Sequence, residues 1–72
     1  MITLKEAQEG KEYTVCRIDA GDDELIAFLF SLGCYSGEPI TVIKRRVGGS
    51  VVALKDGRYH FDTALTAAIF VE

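Results

Sequence analysis

ITVIKRRVGGSVVALKDGRYHFD, residues 40–62, holds two hairpin signals inside one β-rich run. Gly48-Gly49 separates ITVIKRRV (40–47) from SVVALK (50–55), and Asp56-Gly57 separates SVVALK from RYHFD (58–62). Gly-Gly and Asp-Gly pairs supply the positive φ angles that two-residue hairpin loops need. The predicted register sets Val52 opposite Arg45 and Leu54 opposite Ile43, then Tyr59 opposite Leu54 and Phe61 opposite Val52. One face of this meander carries Ile43, Val52, Leu54, Tyr59 and Phe61, and is the core face. The other carries Lys44, Arg46, Lys55, Arg58 and His60, and is basic. Ile40 and Val42 fall on the wrong side of the alternation. A bulge or sharp bend near residue 43 is therefore predicted, of the kind that curves small barrels.

Upstream, Gly37-Glu38-Pro39 is a turn, and Pro39 opens a strand where its missing N–H does least harm. A helix of about residues 22–32 precedes it. Asp22 or Gly21 caps it, and Asp23 and Glu24 sit in its first turn, where the helix dipole favours negative charge. Gly33 is placed to end it in a left-handed conformation. Residues 12–18 (EYTVCRI) are β-branched and aromatic and form a strand. Thr3 and Glu6 have capping-box spacing, which predicts a helical turn over 4–9 ending at Gly10. Downstream, a helical turn over 63–66 is capped by Thr63 or Asp62, and AIFV (68–71) is a closing strand. Five short strands, tight hairpins and one helix predict a mainly β, partly open barrel.

The 72 residues fit one domain, expected over residues 1–72. A chain this short buries only roughly 60% of its unfolded surface and has no room for a deep catalytic cleft beside a full core. Its net charge of -3 argues against nucleic acid as a partner. The charge is uneven: residues 1–38 hold 3 basic and 8 acidic side chains, and residues 39–72 hold 5 basic and 3 acidic. Two differently charged surfaces suit a docking protein. The N-terminus has no apolar run of a signal peptide, and no stretch approaches the ~20 apolar residues of a membrane span. A cytoplasmic location is expected, with Cys16 and Cys34 reduced and acting as small apolar core filler.

No catalytic constellation is present. His60 is the only histidine, and neither cysteine has the basic neighbours of an activated thiol. His60 and Asp62 share a strand face but lack a third metal ligand, so they are read as an exposed histidine beside a carboxylate. Asp19, Asp22, Asp23 and Glu24 lack EF-hand spacing and serve the helix start. No cofactor, metal or small-molecule substrate is expected. On the helix, Leu25, Phe28, Leu29 and Leu32 form one apolar face. Ile26 and Phe30 lie outside it on a neighbouring stripe. Either the helix is buried more deeply than most, or this pair is an exposed apolar ridge that marks a protein-binding site. The candidate partner-binding residues are Ile26 and Phe30, with the basic side chains Lys44, Arg46, Lys55 and Arg58.

The run LFSLGCYSGEPITVIKRRVGGSVVALKDGRYHFDTALTAAIFV (29–71) resembles the ferrous iron transport protein A (FeoA) family. Leu29, Leu32 and Gly33 match its Leu-x-x-Leu-Gly helix end. Gly37, Ile40 and Val42 match the following Gly-x-x-Ile-x-Val, Gly57 a hairpin, and Ile69 and Val71 the closing Ile-x-Val. Phe61-Asp62 and Thr66 stand where relatives often carry Leu-Arg and Ala. The resemblance implies an SH3-like fold. It also implies a cytosolic accessory of the FeoB-type membrane ferrous iron transporter, one that neither carries iron nor hydrolyses nucleotide. A second expectation is a metal-binding or regulatory domain like the SH3-like C-terminal domain of iron-dependent repressors. Those repressors also need an attached DNA-binding domain, and with the sequence beginning at Met1 none is expected here.

Overall fold

The computed structural model describes residues 1–55 and 57–72. Among these residues, six antiparallel strands are ordered β1-β6-β2-β3-β4-β5 in space. They are β1 (Ile2–Thr3), β2 (Glu12–Ile18), β3 (Pro39–Arg46), β4 (Gly49–Leu54), β5 (Gly57–Asp62) and β6 (Ile69–Val71). The two-residue β1 was too short to leave an alternation in the sequence. It pairs Ile2 with Val71 and Thr3 with Phe70. Two helices interrupt the strands, α1 (Asp23–Leu32) and the shorter α2 (Thr63–Ala68).

The bend predicted near residue 43 is present: the β3–β4 register shifts between Val42 and Lys44. It turns Ile40 and Val42 inward, and both are buried beside Val52, Leu54 and Phe61. Ile43, placed on the core face from sequence, is only half-buried, because the extra residue of the bulge takes its place in the alternation. Both hairpins close slightly earlier than their glycines suggest. Arg46 pairs with Gly49, so Val47-Gly48 forms the first loop, with Gly48 at φ 83°. Leu54 pairs with Gly57, and Val52 rather than Leu54 faces Tyr59. The shift is by two positions, an even number, so the paired residues of β4 and β5 keep their faces. Asp56, the other residue of the second hairpin signal, lies outside the described residues.

β2 serves both halves of the barrel. Glu12–Thr14 pair with β3, and Val15–Ile18 pair with β6 across a register shift between Val15 and Arg17. Its inward residues Tyr13 and Val15 join Leu4, Ala7, Leu29, Cys34, Ile69 and Val71 in one buried cluster. Cys34 is the core filler expected of it. Cys16 is not: it sits at the β2 irregularity and is half-exposed. The predicted turn over 4–9 shortens to a 3-10 turn over Leu4–Glu6, where the Thr3 N–H and hydroxyl both donate to Glu6 Oε1. Beyond it, Arg45 reaches from β3 and donates from Nη2 to the Ala7 carbonyl, and its own N–H donates to Glu9 Oε2 at 2.6 Å.

α1 is held at both ends as its sequence requires. Asp22 Oδ1 accepts from the N–H groups of Glu24 and Leu25, and Gly33 takes a left-handed φ of 93°. Asp62 Oδ1 caps α2 by accepting from the Leu65 N–H at 2.8 Å. Leu29 is fully buried and carries the docking of α1, with Leu25 and Leu32 half-buried beside it. Leu29→Ala should cost about 2–5 kcal/mol as a core truncation. Urea unfolding followed by circular dichroism will measure this. Gly33→Ala should also destabilise the fold, since a side chain there disfavours positive φ and would meet the Lys55 stem.

Candidate functional site

At 100° per residue, Leu29 marks the buried line of α1. Leu25 and Leu32 lie about 40° and 60° to one side of it, and Ile26 about 60° to the other. Phe28 and Phe30 lie about 100° away on opposite flanks. Exposure follows these angles: Ile26 is 37% exposed, Phe28 55% and Phe30 61%. Phe28, assigned to the core face from sequence, is therefore a surface residue. The helix is a surface helix with a narrow buried stripe, so it is not buried more deeply than most, and Ile26 and Phe30 are exposed. The Phe28 exposure was hidden because the helical spacing of four apolar residues does not reveal where the buried line runs.

Phe30 is not isolated. Its ring stacks on Tyr35, with centroids 4.5 Å apart and planes at 27°. Tyr35 in turn lies under the Lys55 ammonium, 5.7 Å from ring centre to Nζ. Lys55 also forms an ion pair with Glu38, and these contacts hold its ammonium pKa above the ordinary value, the Glu38 hydrogen bond being the largest cause. Phe30, Leu32, Gly33, Tyr35, Lys55 and Tyr59 line one shallow groove between the end of α1 and the turn after β4. The sequence places Tyr59 on the core face and Glu38 in a turn, and marks neither of them nor Tyr35 as a site residue. Tyr35 lies in the short connection after Gly33, where no periodicity marks its direction.

The structure divides the predicted basic set. Lys44, Arg46 and Arg58 are exposed on the outer sheet face with His60, where Lys44 and His60 flank Val51, and Arg58 faces Ala53. Lys55 has left that face for the groove with Phe30. Asp62 is occupied in capping α2, and among the described residues no three His, Cys, Asp or Glu side chains gather as a metal-binding group. The two thiols are both held in their neutral form. Burial pushes Cys34 up to about 11, and desolvation followed by the Glu72 charge raises Cys16. No helix among the described residues is long and apolar enough to cross a membrane.

A bent β2 shared by two sheet halves, with tight hairpins curving the rest, defines a small SH3-like barrel. The crystal structure of the zinc complex of FeoA from Stenotrophomonas maltophilia, described as a procaryotic SH3 domain protein, has this fold. It superposes with a TM-score of 0.84 at 21% identity, over 100% of this chain and 91% of that one. The family model for the FeoA domain matches residues 2–72, and this chain belongs to the FeoA family. The crystal structure of an iron uptake regulatory protein, FeoA, matches with a TM-score of 0.84 at 22% identity, over 97% of this chain and 93% of that one. A manganese-dependent transcriptional repressor also matches, with a TM-score of 0.84 at 25% identity over 96% of this chain. This chain spans only 39% of that repressor. No significant match to a curated protein sequence is found.

The raised Cys34 value has a pH consequence. The unfolded thiol loses its proton near the ordinary 9.0, whereas the folded one holds it to about 11. Above 9.0 the unfolded state therefore binds fewer protons, and the Cys34 contribution to stability is lost as pH rises from 9.0 to about 11. Cys34→Ala should flatten this part of the stability profile. In native protein at pH 8, a maleimide should label Cys16 before Cys34, with Cys34 reacting only on unfolding.

Proposed function

We propose that this chain, as a single domain, is a cytosolic accessory of ferrous iron uptake that docks on the cytosolic part of a FeoB-type membrane transporter. It acts by binding and not by catalysis. Membership of the FeoA family supports the setting. The exposed Phe30 ring, stacked on Tyr35 at the edge of a groove, is the observation that carries the interaction surface. An aromatic presented in this way loses little conformational freedom on binding and suits an anchor for a desolvated pocket. Ile26, one turn earlier on the same flank, extends the apolar contact. Lys55 provides a charged rim beside it, and Lys44, Arg46 and Arg58 add long-range attraction for an acidic partner surface.

Surface plasmon resonance against the transporter's cytosolic domain tests this. Phe30→Ala should weaken binding by tens of fold with an unchanged circular dichroism spectrum, since the residue lies outside the core. Lys55→Met keeps the aliphatic stem over Gly33 and should slow association, most visibly at low salt. Wild-type affinity in Phe30→Ala would sink the assignment of the ridge. The match to the metal-dependent repressor supports a second, regulatory reading. Tight ferrous iron binding without transporter binding would favour that one.

A further inference from the structure

From the β3–β4 hairpin and the hollow beside it, we infer that this end of the barrel is a docking surface for an anionic lipid bilayer. Val47 is fully exposed at the tip of the hairpin. It has no apolar neighbour to shield it in the sequence RRVGG, and a hydrophobic residue presented alone at a loop tip gains nothing from the fold. Cationic residues precede it in the chain. Lys44 and Arg46 are exposed on the same strand, with Arg46 immediately before the tip. Lys5 joins Arg45 and Arg46 around a shallow hollow floored by Ser50 and Thr66 and edged by Thr63. The Thr63 N–H donates to the Gly48 carbonyl at 3.1 Å, which fixes the start of α2 against the hairpin tip.

No carboxylate lines this hollow among the described residues. The nearby carboxylates Glu6, Glu9 and Asp62 keep their charge but are held by local hydrogen bonds outside the hollow: Glu6 accepts from Thr3, Glu9 from the Arg45 N–H, and Asp62 from the Leu65 N–H. An acidic protein has thus gathered the cations Lys5, Arg45 and Arg46 about a hollow beside a hairpin tip that carries a projecting apolar side chain. A phosphodiester headgroup fits donors of this kind, and the boundary between headgroups and acyl chains accepts Val47 without a preformed pocket. A protein partner would have to supply such a pocket. A nucleic acid would gain nothing from Val47. The surface lies at the opposite end of β4 from the Phe30 groove and does not depend on the transporter assignment.

The test is co-sedimentation of the purified chain with vesicles of phosphatidylglycerol mixed with phosphatidylcholine, against pure phosphatidylcholine. Binding to the mixed vesicles alone is expected, and it should fall as salt is raised. Lys5→Glu with Arg46→Glu should reduce partitioning by more than about 25-fold, taking about five-fold for each charge removed. Val47→Asp should reduce it further, and Val47→Trp should raise it several-fold. Phe30→Ala should partition like wild type. The inference is overturned if mixed vesicles fail to bind at low salt, or if the double variant or Val47→Asp partitions unchanged. Loss of vesicle binding in Phe30→Ala would likewise overturn it, moving the surface to α1. So would binding of polyglutamate at this hairpin in place of vesicles, which would make it a face for acidic proteins. Displacement from vesicles by millimolar glycerol phosphate would make it a site for free phosphate esters and sink the bilayer assignment.

Discussion

The double pairing of β2 is the constraint on which the barrel rests. A strand has two hydrogen-bonding edges, and β2 uses both along its length, bonding β3 through its first half and β6 through its second. The two halves cannot lie in one flat sheet, because their neighbours leave in different directions. The irregularity between Val15 and Arg17 allows the turn. The bulge between Val42 and Lys44 makes a matching bend in β3. With both bends in place, Tyr13 and Val15 from β2 and Ile40 and Val42 from β3 point at the same interior. Leu29 then needs to contribute only one line of α1 to cover the cluster, which leaves both flanks of the helix outside.

Most of this architecture was legible because the signals were local. A hairpin glycine, an Asx cap or a left-handed glycine acts within three or four residues, and the caps and Gly33 were found where their chemistry placed them, with the two hairpins closing only slightly earlier than predicted. Even the bulge at residue 43 could be inferred, since Ile40 and Val42 had to be reconciled with Leu54 and Phe61. What escaped depended on distant partners. β1 exists only because β6 returns beside it, and nothing in Ile2-Thr3 announces that return. Phe28 and Ile43 were apolar residues in suitable elements, and their exposure is settled by how α1 tilts and how the bulge rotates the chain. The candidate site divides in the same way. Ile26 and Phe30 stood out by helical angle alone. Tyr35 and the displacement of Lys55 toward it came from a loop conformation that no periodicity encodes.

The two surfaces stand at the two ends of β4. One lies by Leu54, where the following Lys55 turns back over Tyr35, and the other by Gly49, beside the Val47 tip. Six residues of strand separate them by about 17 Å. β4 is also the strand with neighbours along both edges over its whole length, pairing β3 and β5 throughout. A rigid central strand thus fixes the spacing between an apolar groove and a cationic tip. Such a spacing allows two contacts to be made at once only if the partner surfaces match it, and a fixed distance costs less entropy than a flexible one.

The pairing of Ile2 with Val71 joins positions sixty-nine residues apart. In contrast, β3, β4 and β5 are connected by tight turns and bring together neighbours in sequence. Loop-closure entropy penalises the first kind of contact and spares the second, so the meander of residues 39–62 can form early while β6 finds β2 and β1 late. During synthesis the order is stricter still. The edge of β2 that β6 covers stays unpaired until residues 69–71 have cleared the ribosome, and for that interval the nascent chain presents Val15 and an open strand edge to its surroundings.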